Sequence, residues 1–286
     1  MRKSEKLPLV SIITPVYNGS VYIEQLILSV KSQNYPNIEH IIIDDGSNDE
    51  GATVSILKRY PHLRWWSREN KGTYGSMNEG LNAASGEYVC FINADDLMAE
   101  NAVQLVVDWL RSHQGFDGVY GLTSYINAKG DPYPIKYPFR HAPLRFFPYF
   151  IQLQHCSFYV SRQTLHKNKL VFNTSFRFCA DYDWILRMLK MDIRIGFIDS
   201  TLSSVRIHKN QITSRNRTAM SKEKRMIKDR YGYHGLRFNF YFTIYQSLNL
   251  MAHLHLAYKE DRFTGIKDTL NDWVKGKIIP YLINKQ

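Results

Sequence analysis

Short apolar runs alternate with amphipathic stretches along roughly the first 120 residues. The runs at 9–14, 38–43, 63–66, 88–92 and 118–122 have the length and the β-branched and aromatic content of buried strands. Helical spacing separates them, beginning with residues 20–33, where Ile23, Leu26 and Ile27 share one face. This alternation predicts βαβ units, and therefore an α/β fold with a mostly parallel sheet flanked by helices.

Polar clusters follow the first, second and fourth of these predicted strands, at 15–18, 44–47 and 93–96. Parallel strands place their carboxyl ends at one edge of a sheet, where open α/β folds bind ligands. The adjacent carboxylates of Asp95 and Asp96 allow two interpretations: a cap for the next helix, or oxygen ligands for Mg²⁺ or Mn²⁺ beside a diphosphate. The convergence of acids and an aromatic side chain at one edge favours the second.

No phosphate-binding glycine loop follows the first predicted strand, because neither G-x-x-x-x-G-K-[ST] nor G-x-G-x-x-G occurs there. A nucleotide diphosphate bound at this edge would therefore need a metal ion to neutralise its charge. The same absence argues against a nucleotidyltransferase that makes sugar nucleotides, since such an enzyme needs a basic, glycine-rich loop at this position.

Residues 128–150 interrupt the alternation with clustered prolines and aromatic residues. They form either a surface loop or a wall of an acceptor-binding cleft. Beyond them, the pattern predicts a strand at 157–160, a short helix at 163–168, an amphipathic helix at 181–189 and strands at 194–198 and 201–207. Asp181 and Asp183 open the amphipathic helix, where the helix dipole favours acids.

The net charge of +11 is concentrated in residues 206–286, which carry 16 lysines and arginines against 6 acids. A nucleic-acid-binding protein would more often spread this charge over its fold, so no nucleic acid partner is predicted. A basic helix at 218–231 precedes an aromatic and apolar stretch at 236–256. This pair is typical of an anchor on an anionic membrane surface, but equally of an ordinary helix packed on the core.

The three cysteines show neither disulfide nor zinc spacing, and no signal peptide or membrane-spanning run is evident. We therefore expect a cytoplasmic protein. If the basic helix and its aromatic neighbour act as an anchor, the protein would be peripheral on the inner face of the plasma membrane.

The motifs, in their order over residues 8–216, resemble those of family 2 glycosyltransferases with the A-type fold, the inverting bacterial enzymes of polysaccharide and lipopolysaccharide assembly. The resemblance implies a Rossmann-like domain in which residues 1–125 bind the nucleotide sugar and residues 126–216 bind the acceptor. Residues 217–286 would be a basic and aromatic helical segment. The implied reaction moves a sugar from a UDP-sugar to a hydroxyl of a glycan or lipid-linked acceptor, with Mn²⁺ or Mg²⁺ as cofactor.

The resemblance also implies roles for residues on the nucleotide side. Pro15 and Tyr17 would hold the base and ribose, and Asp45 would accept the ring N–H of uracil. The stretch 70–78 resembles the one that leads to the helix before the metal motif, and Asn70 and Asn78 are its candidate contacts. Relatives often carry Asp where this chain has Asn70 and Gly75.

On the catalytic side, Asn93-Ala94-Asp95 stands where the family has its Asp-x-Asp motif. Asn93 and Ala94 would contact the donor, and Asp95 would be the main metal ligand. Asp181 is the expected general base, and His208 a further ligand of the metal or the diphosphate.

Other basic and polar residues receive expected roles as well. Arg206 or Lys209 would face the leaving diphosphate, and Gln154-His155 would face the acceptor. Asn93, Gly75 and Ala180 replace residues common in the family. They leave open a catalytically degenerate relative that binds a nucleotide or glycan as a scaffold.

Overall fold

A computed structural model of the protein describes residues 7–132, 147–148 and 153–233, together with positions 240, 243, 244 and 247. Most of the proline- and aromatic-rich loop and most of the stretch at 236–256 lie outside the described residues. No helix among the described residues is both long enough and apolar enough to cross a membrane.

The chain forms two compact units. The first consists of Met1–Ser124 and Leu153–Arg206, and the second of Tyr125–Gln152 and Ile207–Gln286. The boundary expected at 125/126 lies next to the first break between the units. Residues 153–206, expected in an acceptor-binding half, group with the nucleotide-side residues in the first unit.

The described elements confirm the α/β organisation expected from the hydrophobic pattern. In chain order they are β1 (Val10–Val16), α1 (Ile23–Lys31), β2 (Ile38–Asp44), α2 (Ala52–Lys58), β3 (Arg64–Ser67), α3 (Thr73–Ala83), β4 (Tyr88–Phe91), β5 (Leu97–Met98), α4 (Ala102–Ser112), β6 (Gly118–Ile126), β7 (Phe158–Ser161), α5 (Arg162–Lys167), α6 (Ala180–Leu189), β8 (Ile195–Arg206), α7 (Ile212–Arg215) and α8 (Arg217–Arg230). A 3-10 turn at His155–Ser157 leads directly into β7.

The strands form one sheet in the order β3-β2-β1-β4-β7-β6-β8-β5. β1 is parallel to β2 and β4, and β2 is parallel to β3, so the carboxyl ends of these strands meet at one edge. β7 then enters between β4 and β6 and is antiparallel to both. The half of the sheet formed by β1, β2, β3 and β4 is therefore parallel, as expected, and the other half contains antiparallel pairs.

The boundaries of α3 and β8 differ from the sequence prediction in ways that have a physical explanation. α3 begins at Thr73 rather than near residue 77, after Gly72 adopts a positive φ of 81°. The two strands expected at 194–198 and 201–207 form the single strand β8, in which Asp199 is an exposed position. The polar residues between the two predicted strands therefore belong to one continuous strand, where Asp199 faces solvent.

The core of the first unit covers both faces of the sheet. On one face, Val10 and Ile12 belong to the apolar cluster that includes the buried residues of α1 and α4. On the other, α3 approaches β1 so closely that a Cβ atom at Gly80 would stand 2.4 Å from Ile13. This face continues in a buried aromatic cluster, formed by Phe91, Phe158, Phe172 and Trp184. The packing fixes α3 and α6 beside the carboxyl edge.

Candidate functional site

The loops after β1 and β2 are tied together at the carboxyl edge. Asn18 Nδ2 donates to Asn48 Oδ1 at 2.7 Å, and the Asn48 N–H donates to Asn18 Oδ1 at 2.8 Å. Tyr17 donates its hydroxyl to the same Asn48 oxygen at 3.3 Å while its side chain stays 48% exposed. Pro15 is buried inside β1, paired with Ile43. Of the two predicted base contacts, Tyr17 is the one that offers an exposed ring at this edge.

Asp45 follows β2 and is almost fully buried. Its Oδ1 accepts the backbone N–H of Lys71 at 2.8 Å and forms an ion pair with Arg68. Its Oδ2 makes no hydrogen bond to any described residue. Asp45 is therefore held rigidly through one oxygen, and the other can accept a hydrogen bond from a ligand.

Arg68 organises this side of the site, and the sequence analysis did not identify it. Besides its contact with Asp45, its Nε donates to Glu79 Oε2 at 2.6 Å, and its Nη2 donates to Ser76 Oγ at 2.9 Å. Burial alone would raise the pKa of Glu79, but hydrogen bonds from Trp66 and Arg68 hold that pKa below its ordinary value. The only sequence signal for Arg68 is its position directly after β3.

The two asparagines expected to contact the nucleotide bind backbone groups. Asn70 is exposed, and its Oδ1 accepts the Gly72 N–H at 3.2 Å in the turn before α3. Asn78 donates through Nδ2 to Phe172 O at 2.9 Å and accepts the Phe172 N–H through Oδ1 at 2.7 Å. The Asn78 amide thus joins α3 to the segment before α6.

The two acids in the loop after β4, Asp95 and Asp96, have different surroundings. Asp96 is 1% exposed; its Oδ2 accepts Asn93 Nδ2 at 3.1 Å, and its Oδ1 accepts the Arg206 N–H at 3.0 Å. Burial, together with the neighbouring Asp95 carboxylate, raises the pKa of Asp96 well above its ordinary value. The N-cap position of the next helix, α4, is Asn101, so neither acid occupies it. Asp96 stabilises the loop internally, and Asp95 remains half-buried.

Arg206 stabilises the same loop from β8. It is fully buried, and its Nε donates to the Asp95 carbonyl at 2.8 Å. Its Nη2 donates to Gln25 Oε1 at 2.7 Å, and its guanidinium carbon lies 4.6 Å from the centroid of the Tyr22 ring. The side chain expected to face a diphosphate therefore connects the metal-motif loop to α1.

A divalent ion at this edge would be bound by Asp95 together with the phosphates of a nucleotide-sugar donor. No group of three or more His, Cys, Asp or Glu side chains suited to a metal ion occurs among the residues that the structure describes. Mg²⁺ and Mn²⁺ commonly bind one or two carboxylates together with substrate phosphates and water. A half-buried carboxylate on a braced loop fits that pattern. His208 is half-buried in the second unit, and its N–H donates to Gln211 Oε1 at 3.4 Å.

Asp181 lies in the first turn of α6 and is contacted from two other elements. Tyr74 donates its hydroxyl to Asp181 Oδ1 at 3.0 Å, and His155 Nδ1 lies 3.4 Å from Asp181 Oδ2. The carboxylate keeps 28% of its side-chain exposure. Burial would raise the pKa of Asp181, but His155 and Tyr74 lower it below its ordinary value. The group is thus an ionised, accessible carboxylate, as a general base requires.

Asp45 and Asp181 are both bound by one short segment of the first unit. Asp45 contacts Lys71, Tyr74 contacts Asp181, and both contacts come from the short segment that opens α3. The sequence profile of glycosyl transferase family 2 matches residues 11–178, which include all of these residues except Asp181. The chain belongs to this family.

Curated relatives of this family member are glycosyltransferases. The chain is 31% identical over 214 residues to an uncharacterized glycosyltransferase of Rickettsia felis, with 71% of this chain and 35% of that protein covered. It is 33% identical over 131 residues to chondroitin synthase of Escherichia coli, with 44% of this chain and 19% of that protein covered. The chain thus spans about a third of the length of the Rickettsia felis relative.

Solved structures share the fold of this family member. S. aureus TarS 1-349 in complex with UDP-GlcNAc has a TM-score of 0.61 and 17% identity, with 94% of this chain and 92% of that chain covered. Mannosyltransferase PcManGT from Pyrobaculum calidifontis, in complex with GDP-Man and Mn²⁺, has a TM-score of 0.56 and 17% identity, with 99% and 89% covered. The expected A-type glycosyltransferase fold is confirmed.

Proposed function

We propose that the protein is an inverting glycosyltransferase that moves a sugar from a UDP-sugar to a hydroxyl of a glycan or lipid-linked acceptor in cell-surface polysaccharide synthesis. The observation that carries the proposal is that one short segment, residues 71–74, binds two carboxylates: Asp45 through the backbone N–H of Lys71, and Asp181 through the Tyr74 hydroxyl. The UDP-GlcNAc complex of TarS and the chondroitin synthase relative support this donor and acceptor class.

The reaction uses Asp181 as the general base. The acceptor oxygen attacks the anomeric carbon from the face opposite the diphosphate, its proton passes to Asp181, and the bond from the anomeric carbon to the diphosphate oxygen breaks. A single displacement of this kind inverts the configuration at the anomeric carbon. Tyr17 and Asp45 hold the base and ribose, and the loops after β1, β2 and β4 orient the donor.

The leaving diphosphate requires positive charge. Mn²⁺ or Mg²⁺, when bound, would supply Lewis-acid stabilisation of the developing phosphate charge. Asp95 would hold the ion, and Asn93 and Ala94 are proposed as further contacts of the donor. The hydrogen bond from Arg206 to the Asp95 carbonyl orients this loop before any ligand arrives.

Calorimetric titration of the full chain with UDP, GDP and dTDP tests the nucleotide assignment. In the presence of Mn²⁺ we expect UDP to bind at least about tenfold more tightly than GDP, because we propose that Asp45 Oδ2 accepts the N–H of the single uracil ring, and the N–H of the larger, two-ring guanine would lie elsewhere. Asp45→Asn should weaken UDP binding by about tenfold or more, since it presents an amide donor where an acceptor is needed. UDP binding that is absent, or equal to that of GDP, would contradict the proposal.

A catalytically degenerate scaffold remains the second candidate, because Asn93, Gly75 and Ala180 stand at positions where the family commonly has other residues. The carboxylate at Asp181, which a scaffold would not need, favours the enzyme. A scaffold would bind UDP and consume no nucleotide sugar.

We also propose that α8 binds an anionic membrane surface, which would place the protein at the inner face of the plasma membrane. The helix carries six lysines and arginines against two acids over 14 residues. Burial, with the repulsion of Lys224, lowers the pKa of Lys228 to about 8. An anionic surface would relieve this crowding of cations, and Met226 is an exposed apolar neighbour.

Vesicle sedimentation tests the membrane proposal. Reversing two exposed charges with Lys222→Glu and Arg225→Glu should lower partitioning onto phosphatidylserine-containing vesicles by about tenfold or more, since each basic residue contributes about 1 kcal/mol. The matched control, Lys31→Glu with Lys58→Glu, makes the same charge change at exposed positions of the first unit. Equal binding of both variants would contradict the assignment to α8.

A further inference from the structure

Asp181 is contacted on both carboxylate oxygens by side chains that the proposed reaction does not consume. Tyr74, in the first turn of α3, faces Oδ1, and His155, in the 3-10 turn before β7, faces Oδ2. The two contacts come from elements 81 residues apart in the chain, because β4 and β7 are paired in the sheet and α3 packs on β1. Both oxygens of the Asp181 carboxylate are therefore contacted by side chains from other elements.

The Tyr74 hydroxyl has two acceptors within reach. It lies 3.0 Å from Asp181 Oδ1 and 3.1 Å from the Phe178 carbonyl. A hydroxyl carries one hydrogen, so it serves one acceptor at a time, and a charged carboxylate is the stronger of the two. When Asp181 is protonated, the Phe178 carbonyl can take over the hydrogen bond. The hydroxyl thus favours the ionised form of Asp181 and still has a partner when that form is lost.

The Tyr74 ring has little freedom to move away from this position. The residue is 9% exposed, and its ring lies 5.5 Å from that of Phe172, measured between centroids. Asn78, on the next turn of α3, binds the backbone of Phe172 through both amide groups. Packing and backbone hydrogen bonds together hold the hydroxyl against Asp181.

His155 lies beside the other carboxylate oxygen, Oδ2. Its side chain is 11% exposed, and neither ring nitrogen has a hydrogen-bond partner in the described part of the chain. An unpaired buried nitrogen is unfavourable. The Asp181 carboxylate lies within ion-pair distance of Nδ1 but is not aligned for a hydrogen bond. Catalytic hydrogen bonds are often loose in a free enzyme and tighten when substrate binds.

We propose that Tyr74 and His155 are positioning residues, which hold the Asp181 carboxylate in one orientation and favour its ionised form before the acceptor binds. The inference rests on the proposed function, in which Asp181 receives the acceptor proton. It also connects the general base, Asp181, to Asp45, the proposed nucleotide contact, because the backbone N–H of Lys71, three residues before Tyr74, binds Asp45. Among the residues that the structure describes, the titratable side chains that contact Asp181 from other elements are Tyr74 and His155, and Cys179 precedes it on its own segment.

Tyr74→Phe tests the inference because it removes the hydroxyl and keeps the ring. With the UDP-sugar that the wild type consumes fastest, starting from UDP-GlcNAc, we expect kcat to fall by about 10- to 100-fold. The donor KM should change by less than about twofold, since Tyr74 contacts the general base, Asp181, and is not among the residues proposed to bind the donor. Loss of the hydrogen bond raises the pKa of Asp181, so the acid limb of the kcat profile should move to higher pH.

Two further variants separate positioning from simple structural damage. His155→Asn keeps an uncharged donor near the position of Nδ1 and should retain more activity than His155→Leu. Tyr60→Phe is the matched control, because it removes another tyrosine–carboxylate hydrogen bond, 2.5 Å long, to Glu24. The Tyr60→Phe profile should overlay that of the wild type.

A measurement that needs no turnover completes the test. In protein labelled with ¹³C-carboxyl aspartate, the Asp181 signal is the one missing from Asp181→Asn. This signal should titrate at higher pH in Tyr74→Phe than in the wild type. Its titration should be the same in Tyr60→Phe as in the wild type. An Asp181 titration and kcat profile unaffected by Tyr74→Phe would overturn this inference and leave the proposed function standing. A wild type that consumes no UDP-sugar would overturn the proposed function, while the titration would still decide whether Tyr74 acts on Asp181.

Discussion

Asp181→Asn is expected to lower kcat for sugar transfer by about 10³-fold, because the amide cannot take the acceptor proton. The change keeps the shape of the side chain and leaves an oxygen that can accept the Tyr74 hydroxyl. Affinity for UDP should stay within about twofold of the wild type, since Asp181 contacts no proposed nucleotide residue. Steady-state kinetics and UDP titration on the same preparation measure both effects.

Asp192→Asn is the matched control for this variant. Asp192 is an exposed acid just beyond the end of α6, so the same change there should leave both kcat and UDP affinity unaltered. Transfer by Asp181→Asn at more than about a tenth of the wild-type rate would remove Asp181 from the role of general base.

Asp95→Asn is expected to weaken UDP binding in the presence of Mn²⁺ by at least about tenfold, because it removes the charge of the proposed main metal ligand. Chelation with EDTA should weaken UDP binding to the wild type to a similar extent and have little further effect on the variant. The loop itself should remain in place, since the substitution keeps the backbone carbonyl of Asp95 that accepts the Arg206 Nε–H. Calorimetry with and without Mn²⁺ measures these affinities.

Asp108→Asn provides the control, because Asp108 is an exposed acid on the outer face of α4 and should leave the metal dependence unchanged. If the wild type bound UDP equally well with and without Mn²⁺, the metal proposal would be wrong. The proposed contact between Asp45 and the nucleotide would then no longer be supported by a metal site beside it.

The sequence predicted the parallel half of the sheet because that half depends on local information. Continuous apolar runs and helical spacing recur about every 20 to 30 residues there, and right-handed βαβ connections make the strands parallel even where partners lie far apart in the chain, as β1 and β4 do. The insertion of β7 between β4 and β6 was not predictable in this way. It depends on a connection of more than 30 residues between β6 and β7, whose direction leaves no periodic signal.

The candidate site divides along the same line. Asp45, Asp95 and Asp181 follow strand ends or open a helix, so their positions and the family motifs identify them. Arg68 and Tyr74 act through contacts that the chain makes only after folding; Tyr74 is separated from Asp181 by 107 residues. Asp96 illustrates the opposite case, since this conspicuous acid is buried and binds Asn93 in its own loop and the backbone of Arg206 in β8.

A donor screen tests the central claim, sugar transfer from a nucleotide diphosphate, most directly. The full chain would be incubated with a panel of UDP-, GDP- and dTDP-sugars, Mn²⁺ and a bacterial lipid and glycan extract, and release of the nucleoside diphosphate would be followed. We predict that a UDP-sugar is consumed in an extract-dependent reaction that Asp181→Asn does not support. Tight UDP binding without consumption of any nucleotide sugar would contradict this account and favour the scaffold.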